Sequence, residues 1–107
     1  MQRMGQVIGI KPEHLERYTR MHAEAWPEVL AANNASHIHN YTIFLYNDLL
    51  FAYFEYHGAD FKKDMAKMAA DPKTQEWWVI CEPMQSPLPT RKEGEWWAEM
   101  EDVFHTD

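Results

Sequence analysis

Residues 38–56 constrain the fold of this chain more than any other stretch. They hold two runs of aromatic and aliphatic residues, IHNYTIFLY and LLFAYFEY, separated only by Asn47-Asp48, a pair suited to a two-residue hairpin turn. In the second run both alternating sets are largely apolar: Phe51 with Tyr53 on one face, Ala52 with Phe54 on the other. A strand pair of that kind needs cover on both sides. Helices can cover one face; the other calls for a second subunit.

The flanking segments supply the helices. Residues 3–10 read as a short strand ending at Lys11-Pro12, and Pro12 suits the first turn of a helix running to about residue 25. Trp26 precedes Pro27 and is pushed out of the helical region, which predicts a break and a second helical piece over 27–32. From Asp60, FKKDMAKMAA has Phe61, Met65 and Met68 on one side of a helix. Asp71-Pro72 pairs an N-cap with a proline at the first helical position, opening a further helix through Glu82. SPLPT followed by RKEGE, residues 86–95, reads as an exposed loop, and MEDVFHT, residues 100–106, as a last strand. The order βαββαβ, with split helices, predicts an α+β protein of ferredoxin-like pattern. No repeat or linker divides the 107 residues, so one domain over 1–107 is expected.

Charge narrows the partners. The net charge of −7, with ten scattered Lys and Arg, argues against nucleic acid or an anionic membrane surface and for a neutral or cationic small molecule. The single cysteine, Cys81, cannot form an internal disulfide, and the apolar stretch after Arg3 is too short for a secretion signal, so a reducing cytoplasm is the expected compartment.

Leu15, Tyr18, His22, Ala25 and Val29 fall at helical spacing, yet two of the five carry polar tips that need partners if buried. His22 reads either as a core histidine satisfied by a backbone carbonyl or as an acid-base group. Tyr18 lies one turn away, offset by about 40° around the axis, which favours a shared pocket. An imidazole exchanges protons near neutral pH, and a phenol can position or polarise an oxygen. Trp77 and Trp78 diverge by about 100° on their helix, so one packs inside and the other is free to line a cavity. A flat indole beside Tyr and His hydroxyl-directing groups is what sugar recognition requires, with core packing as the competing reading. Trp96 and Trp97 follow the loop and could serve a dimer contact. His37-x-His39 lacks the third and fourth ligands of a metal site, and no phosphate-binding glycine motif or G-x-S-x-G occurs. Glu99, Glu101 and Asp102 read as solvated strand residues.

The series Tyr18-x-x-x-His22-x-x-x-Trp26-Pro27, then His39-Asn40-Tyr41, then Leu49-Leu50-Phe51-Ala52, then Trp77-Trp78 and a closing acidic-aromatic strand resembles the L-rhamnose mutarotase family across nearly the whole chain. That resemblance implies a dimeric α/β barrel of ferredoxin-like protomers that interconverts the anomers of a 6-deoxy-L-hexose, L-rhamnose or L-fucose, without a cofactor or metal. It implies His22 as proton donor and Tyr18, Tyr41, Trp77 and Trp78 as sugar-binding residues. The stretch TRKEGEWWAEM departs from the family pattern and is expected to reshape the pocket rim. Two other readings remain open: a cofactor-independent monooxygenase-like enzyme on the same barrel, and a non-catalytic module that holds a small ligand.

Overall fold

The computed structural model describes residues 1–107. Its order is β1 (Gln2–Ile10), α1 (Leu15–Ala23), α2 (Pro27–Ala35), β2 (Ile38–Tyr46), β3 (Leu49–Tyr56), α3 (Phe61–Ala69), α4 (Pro72–Cys81), β4 (Gln85–Ser86) and β5 (Ala98–Met100). Antiparallel pairing gives the sheet order β2-β3-β1-β4, with β5 also on β1. This is the ferredoxin-like topology: a curled sheet forming half a barrel, with four helices.

Local chemistry accounts for the element ends. Asn47 and Asp48 adopt φ of 52° and 59°, the left-handed pair that a two-residue hairpin turn requires. Trp26 is extended (φ −63°, ψ 134°) before Pro27, which breaks the first helical segment as its sequence predicts. Asp60 caps α3 by accepting from the Lys63 amide at 3.1 Å. Asp71 caps α4 by accepting from both the amide and the hydroxyl of Thr74, each at 2.9 Å. The first helical segment is shorter than expected. Pro12–His14 forms a 3-10 turn, and α1 stops at Ala23 rather than residue 25.

The two sheet faces differ. Leu50, Ala52, Phe54 and Tyr56 are buried beneath the helices, while Leu49, Phe51, Tyr53 and Glu55 on the opposite face are only partly covered. Phe44 pairs with Phe51 and Tyr46 with Leu49, so this face continues onto β2, where Phe44 and Tyr46 are 62% and 70% exposed. Beneath the helices lie two apolar clusters. One gathers Ile8, Ile10, Leu50, Trp77 and Met84; the other gathers Ile38, Phe54 and Tyr56 against α3.

The closing strand is the main departure from the sequence expectation. Instead of one strand over 100–106, the edge beside β1 is shared by two short pieces: Gly9 and Ile10 pair with Ser86 and Gln85, and Gly5 to Val7 with Met100 to Ala98. Residues 87–97 leave the sheet between them, and residues 101–107 form no strand, with Val103 and Phe104 more than 80% exposed (86% and 82%). Close approach at β1 explains why β4 fits where it does. A Cβ at Gly9 would lie 2.6 Å from the Ser86 carbonyl oxygen, so only glycine admits this contact.

Candidate functional site

A cavity of about 640 Å³ occupies the seam between the two apolar clusters, with the sheet as floor and the helices as walls. Tyr18, His22, Tyr41, Trp77 and Trp78 all line it. Five residues from α1, β2 and α4 thus meet in one place.

Each arrives by a different local route. Tyr18 and His22 stand one turn apart on α1 with their rings stacked, centroids 4.1 Å apart. Trp77 meets His22 edge-on at 5.2 Å and Trp26 edge-on at 5.1 Å, so it is the inward member of the tryptophan pair, 6% exposed. Trp78, 37% exposed, lines the cavity while keeping part of its surface in solvent. Tyr41 owes its place to a bulge. The register slips by one residue between His39 and Thr42, with Asn40 at φ 52°, and Tyr41 turns under the helices to stack on Phe54 at 5.4 Å.

Hydrogen bonding fixes the state of the titratable groups. His22 Nδ1 lies 2.8 Å from the Tyr18 carbonyl oxygen, an acceptor only, so Nδ1 carries hydrogen and donates. Nε2 is the nitrogen left to exchange a proton. Burial holds the imidazole below its ordinary 6.5, partly opposed by this backbone bond, so the ring is neutral at pH 7 with an open lone pair on Nε2. Burial also raises the Tyr18 hydroxyl well above the usual phenol range and pushes Tyr41, whose residue as a whole is still 42% exposed, up to about 12; both phenols are protonated at neutral pH. Cys81, also in the lining, is pushed up to about 11 by burial and stays a neutral thiol.

Sequence reasoning missed several lining groups. Gln6 projects from β1, Asn33 from α2 and Gln85 from β4; Trp96 and Trp97 also line the cavity, in keeping with the expectation that their stretch reshapes the pocket rim. Gln85, 6% exposed, donates from Nε2 to the Tyr18 hydroxyl at 3.1 Å and accepts from Trp96 Nε1 at 2.7 Å. Nothing local marks these residues. Gln85 follows a Pro-Met pair just before the loop, and its place depends on β4 pairing with β1. His39 meets His57 edge-on at 4.7 Å, away from the cavity lining.

A ferredoxin-like fold with a histidine in an aromatic, amide-edged cavity belongs to the dimeric α/β-barrel class of folds, and comparison with known proteins refines that class. Residues 3–106 match the family described as L-rhamnose mutarotase. The chain belongs to that family, and mutarotases are isomerases. It is 30% identical to the L-rhamnose mutarotase of Oceanobacillus iheyensis, with both chains covered completely. It is 31% identical to that of Lactiplantibacillus plantarum, again over 100% of each, and 36% identical to a UPF0734 protein of Dictyostelium discoideum over 89% of this chain and 80% of that one. Among solved structures, an L-rhamnose mutarotase from Formosa agariphila matches with a TM-score of 0.79 at 18% identity, and the tetracenomycin F2 cyclase of Streptomyces glaucescens with 0.72 at 16%, each over 100% of both chains. At such identities these two likenesses concern the fold.

Proposed function

We propose that this protein interconverts the α and β anomers of a 6-deoxy-L-hexose, L-rhamnose first and L-fucose as the alternative sugar, with His22 as its acid-base group. The observation that carries this reading is the His22 geometry. One ring nitrogen is committed to the Tyr18 carbonyl and the other is open, inside a cavity built of flat rings.

The reaction asks little more than this. The anomeric hydroxyl passes its proton to Nε2 as C1–O1 becomes a carbonyl and the bond from C1 to the ring oxygen breaks. The imidazolium returns a proton to the ring oxygen, and His22 ends neutral. Rotation about C1–C2 and closure from the other face, by the same steps reversed, invert the anomeric centre. The two substrate oxygens are bonded to one carbon, so a single nitrogen can serve both. Neither a metal nor a redox partner enters the atom balance. Tyr18 and Tyr41 offer hydroxyls to the sugar's oxygens, and Trp77 and Trp78 offer faces to its apolar side.

The reading extends to assembly and setting. The open sheet face, with Phe44, Tyr46 and the half-covered Phe51 and Tyr53, is the surface a second copy would cover to complete a barrel. Phe44→Asp should turn a dimer into a monomer in sedimentation equilibrium; an unchanged mass would place the interface elsewhere. A single domain over residues 1–107 and a reducing cytoplasm, suited to the buried lone Cys81, complete the proposal. No helix is long and apolar enough to cross a membrane.

Anomeric-proton magnetisation exchange by NMR, with L-rhamnose and L-fucose at neutral pH, tests the function. Exchange faster than in buffer for either sugar supports it. Buffer-level exchange for both, from a folded protein, overturns it.

A further inference from the structure

Gln85 settles a question that the pocket's chemistry leaves open: which way the Tyr18 hydroxyl points. A tryptophan N–H can only donate. The Gln85 side-chain atom 2.7 Å from Trp96 Nε1 must therefore be the amide oxygen, and the atom 3.1 Å from the Tyr18 hydroxyl must be the NH₂. That group in turn can only donate, so the Tyr18 oxygen accepts. The hydroxyl makes no other hydrogen bond to protein, and Tyr18 lines the cavity. Its hydrogen is thus free to point at a ligand.

We propose that Gln85 and Trp96 are positioning residues that hold the Tyr18 hydroxyl as a hydrogen-bond donor to the ring oxygen of the sugar. This rests on the mutarotase reading above. In a free pyranose the ring oxygen is the one oxygen without a hydrogen, so it can accept but never donate. A tyrosine whose polarity is fixed as a donor suits that atom, and it selects against poses that place a hydroxyl hydrogen there. As C1 releases the ring oxygen, charge builds on it. A preset donor then acts more strongly in the transition state than in the bound sugar.

The device spans the fold. Tyr18 stands on α1, Gln85 on β4, and Trp96 near the end of the excursion over residues 87–97, whose turns are closed by the Arg91 amide on the Leu88 carbonyl at 3.2 Å and the Glu95 amide on the Lys92 carbonyl at 3.1 Å. The Trp96 bond therefore does two things: it seats the loop on the cavity and sets the amide's orientation. Substituting Phe for Trp96 keeps a ring at the rim but frees the amide to rotate.

The test is a set of variants read by magnetisation exchange, with thermal melting as a fold check. Gln85→Met, of similar length and without the amide, should lower kcat about tenfold while KM changes less than about twofold, the split expected when a transition-state contact is lost. Gln85→Glu keeps an oxygen for Trp96, but its carboxylate can only accept. It takes the Tyr18 hydrogen for itself and should lose more activity than Gln85→Met while folding as well. Trp96→Phe should lose less than either. In a Tyr18→Phe background, Gln85→Met should add no further loss, because Gln85 acts through the hydroxyl that is already gone.

Full additivity in that double variant, or wild-type kcat in Gln85→Glu, overturns the positioning role while leaving the mutarotase reading intact. A folded wild-type protein that accelerates exchange of neither sugar overturns both. Should Gln85→Met fail to fold, Gln85→Glu decides the matter alone, since it keeps the Trp96 bond.

Discussion

The helix wall and the strand-edge wall of the cavity are built on different principles. On α1, Tyr18 and His22 are four residues apart, and helix geometry alone stacks their rings and brings the imidazole to the Tyr18 carbonyl. On the opposite edge, Gln85 and Trp96 are eleven residues apart, joined by an indole bond across an irregular excursion, and Gln85 reaches Tyr18 across 67 positions of sequence. A wall made by one helix needs only that helix to fold. The other needs β4 in register on β1, the loop seated and the amide turned the right way. The proposed acid-base group therefore sits on the robust wall, and the groups proposed to refine its surroundings sit on the contingent one.

Several experiments can break or sharpen that contrast. The largest effect belongs to the helix wall. His22→Ala should lower the enzyme-dependent exchange rate by about 10² to 10⁴ while leaving the melting temperature nearly unchanged, since acid-base groups typically supply that factor. Full activity in a folded His22→Ala protein would remove the histidine from the mechanism. Next comes the seat of the strand edge. Gly9→Ala forces a methyl against the Ser86 carbonyl and should cost about 1–3 kcal/mol in urea unfolding, with a loss of activity as Gln85 shifts. An unperturbed Gly9→Ala protein would mean that β4 has room to move and that the contrast between the walls is overstated. A smaller effect is expected at α4, which carries Trp77. Asp71→Ala removes the acceptor for both Thr74 donors and should cost about 1 kcal/mol of stability by denaturant titration.

The gentlest effect is in pH. Burial lowers the His22 pKa below 6.5, so the ring stays neutral in the folded protein to lower pH than in the unfolded chain. Above 6.5 both states are neutral and this contribution to stability is full. As pH falls from 6.5 toward the folded value, the unfolded chain takes the proton first and stability declines; below the folded value the loss levels off. The enzyme-dependent exchange rate should likewise hold until pH drops below 6.5, then fall as Nε2 loses its lone pair. An acid limb at or above 6.5, or a stability profile in that window unchanged by His22→Ala, would contradict the neutral resting state.

What could be read in advance follows the same division. The hairpin, the break at Trp26-Pro27 and the Asp71 cap rest on local rules, because turn chemistry, proline sterics and side-chain capping act over a few residues. The five candidate pocket residues do share one cavity. The bulge that turns Tyr41 inward was not foreseen, because an asparagine with positive φ inside a strand is a choice made by the sheet. The closing strand was misplaced for a related reason. Its residues carry little pattern of their own, and their position is set by which part of the β1 edge remains free.

By itself, then, the sequence determined the elements from β1 through α4, the apolar demand on both faces of β3 and the Tyr18-His22 pair, because periodicity and capping are encoded within one turn or one strand. Only the tertiary structure decided that Gln85 and Trp96 would join that pair and how the Tyr18 hydroxyl would be oriented. Hydrogen-bond direction depends on which donor meets which acceptor, and residues this far apart along the chain meet only after the sheet has formed.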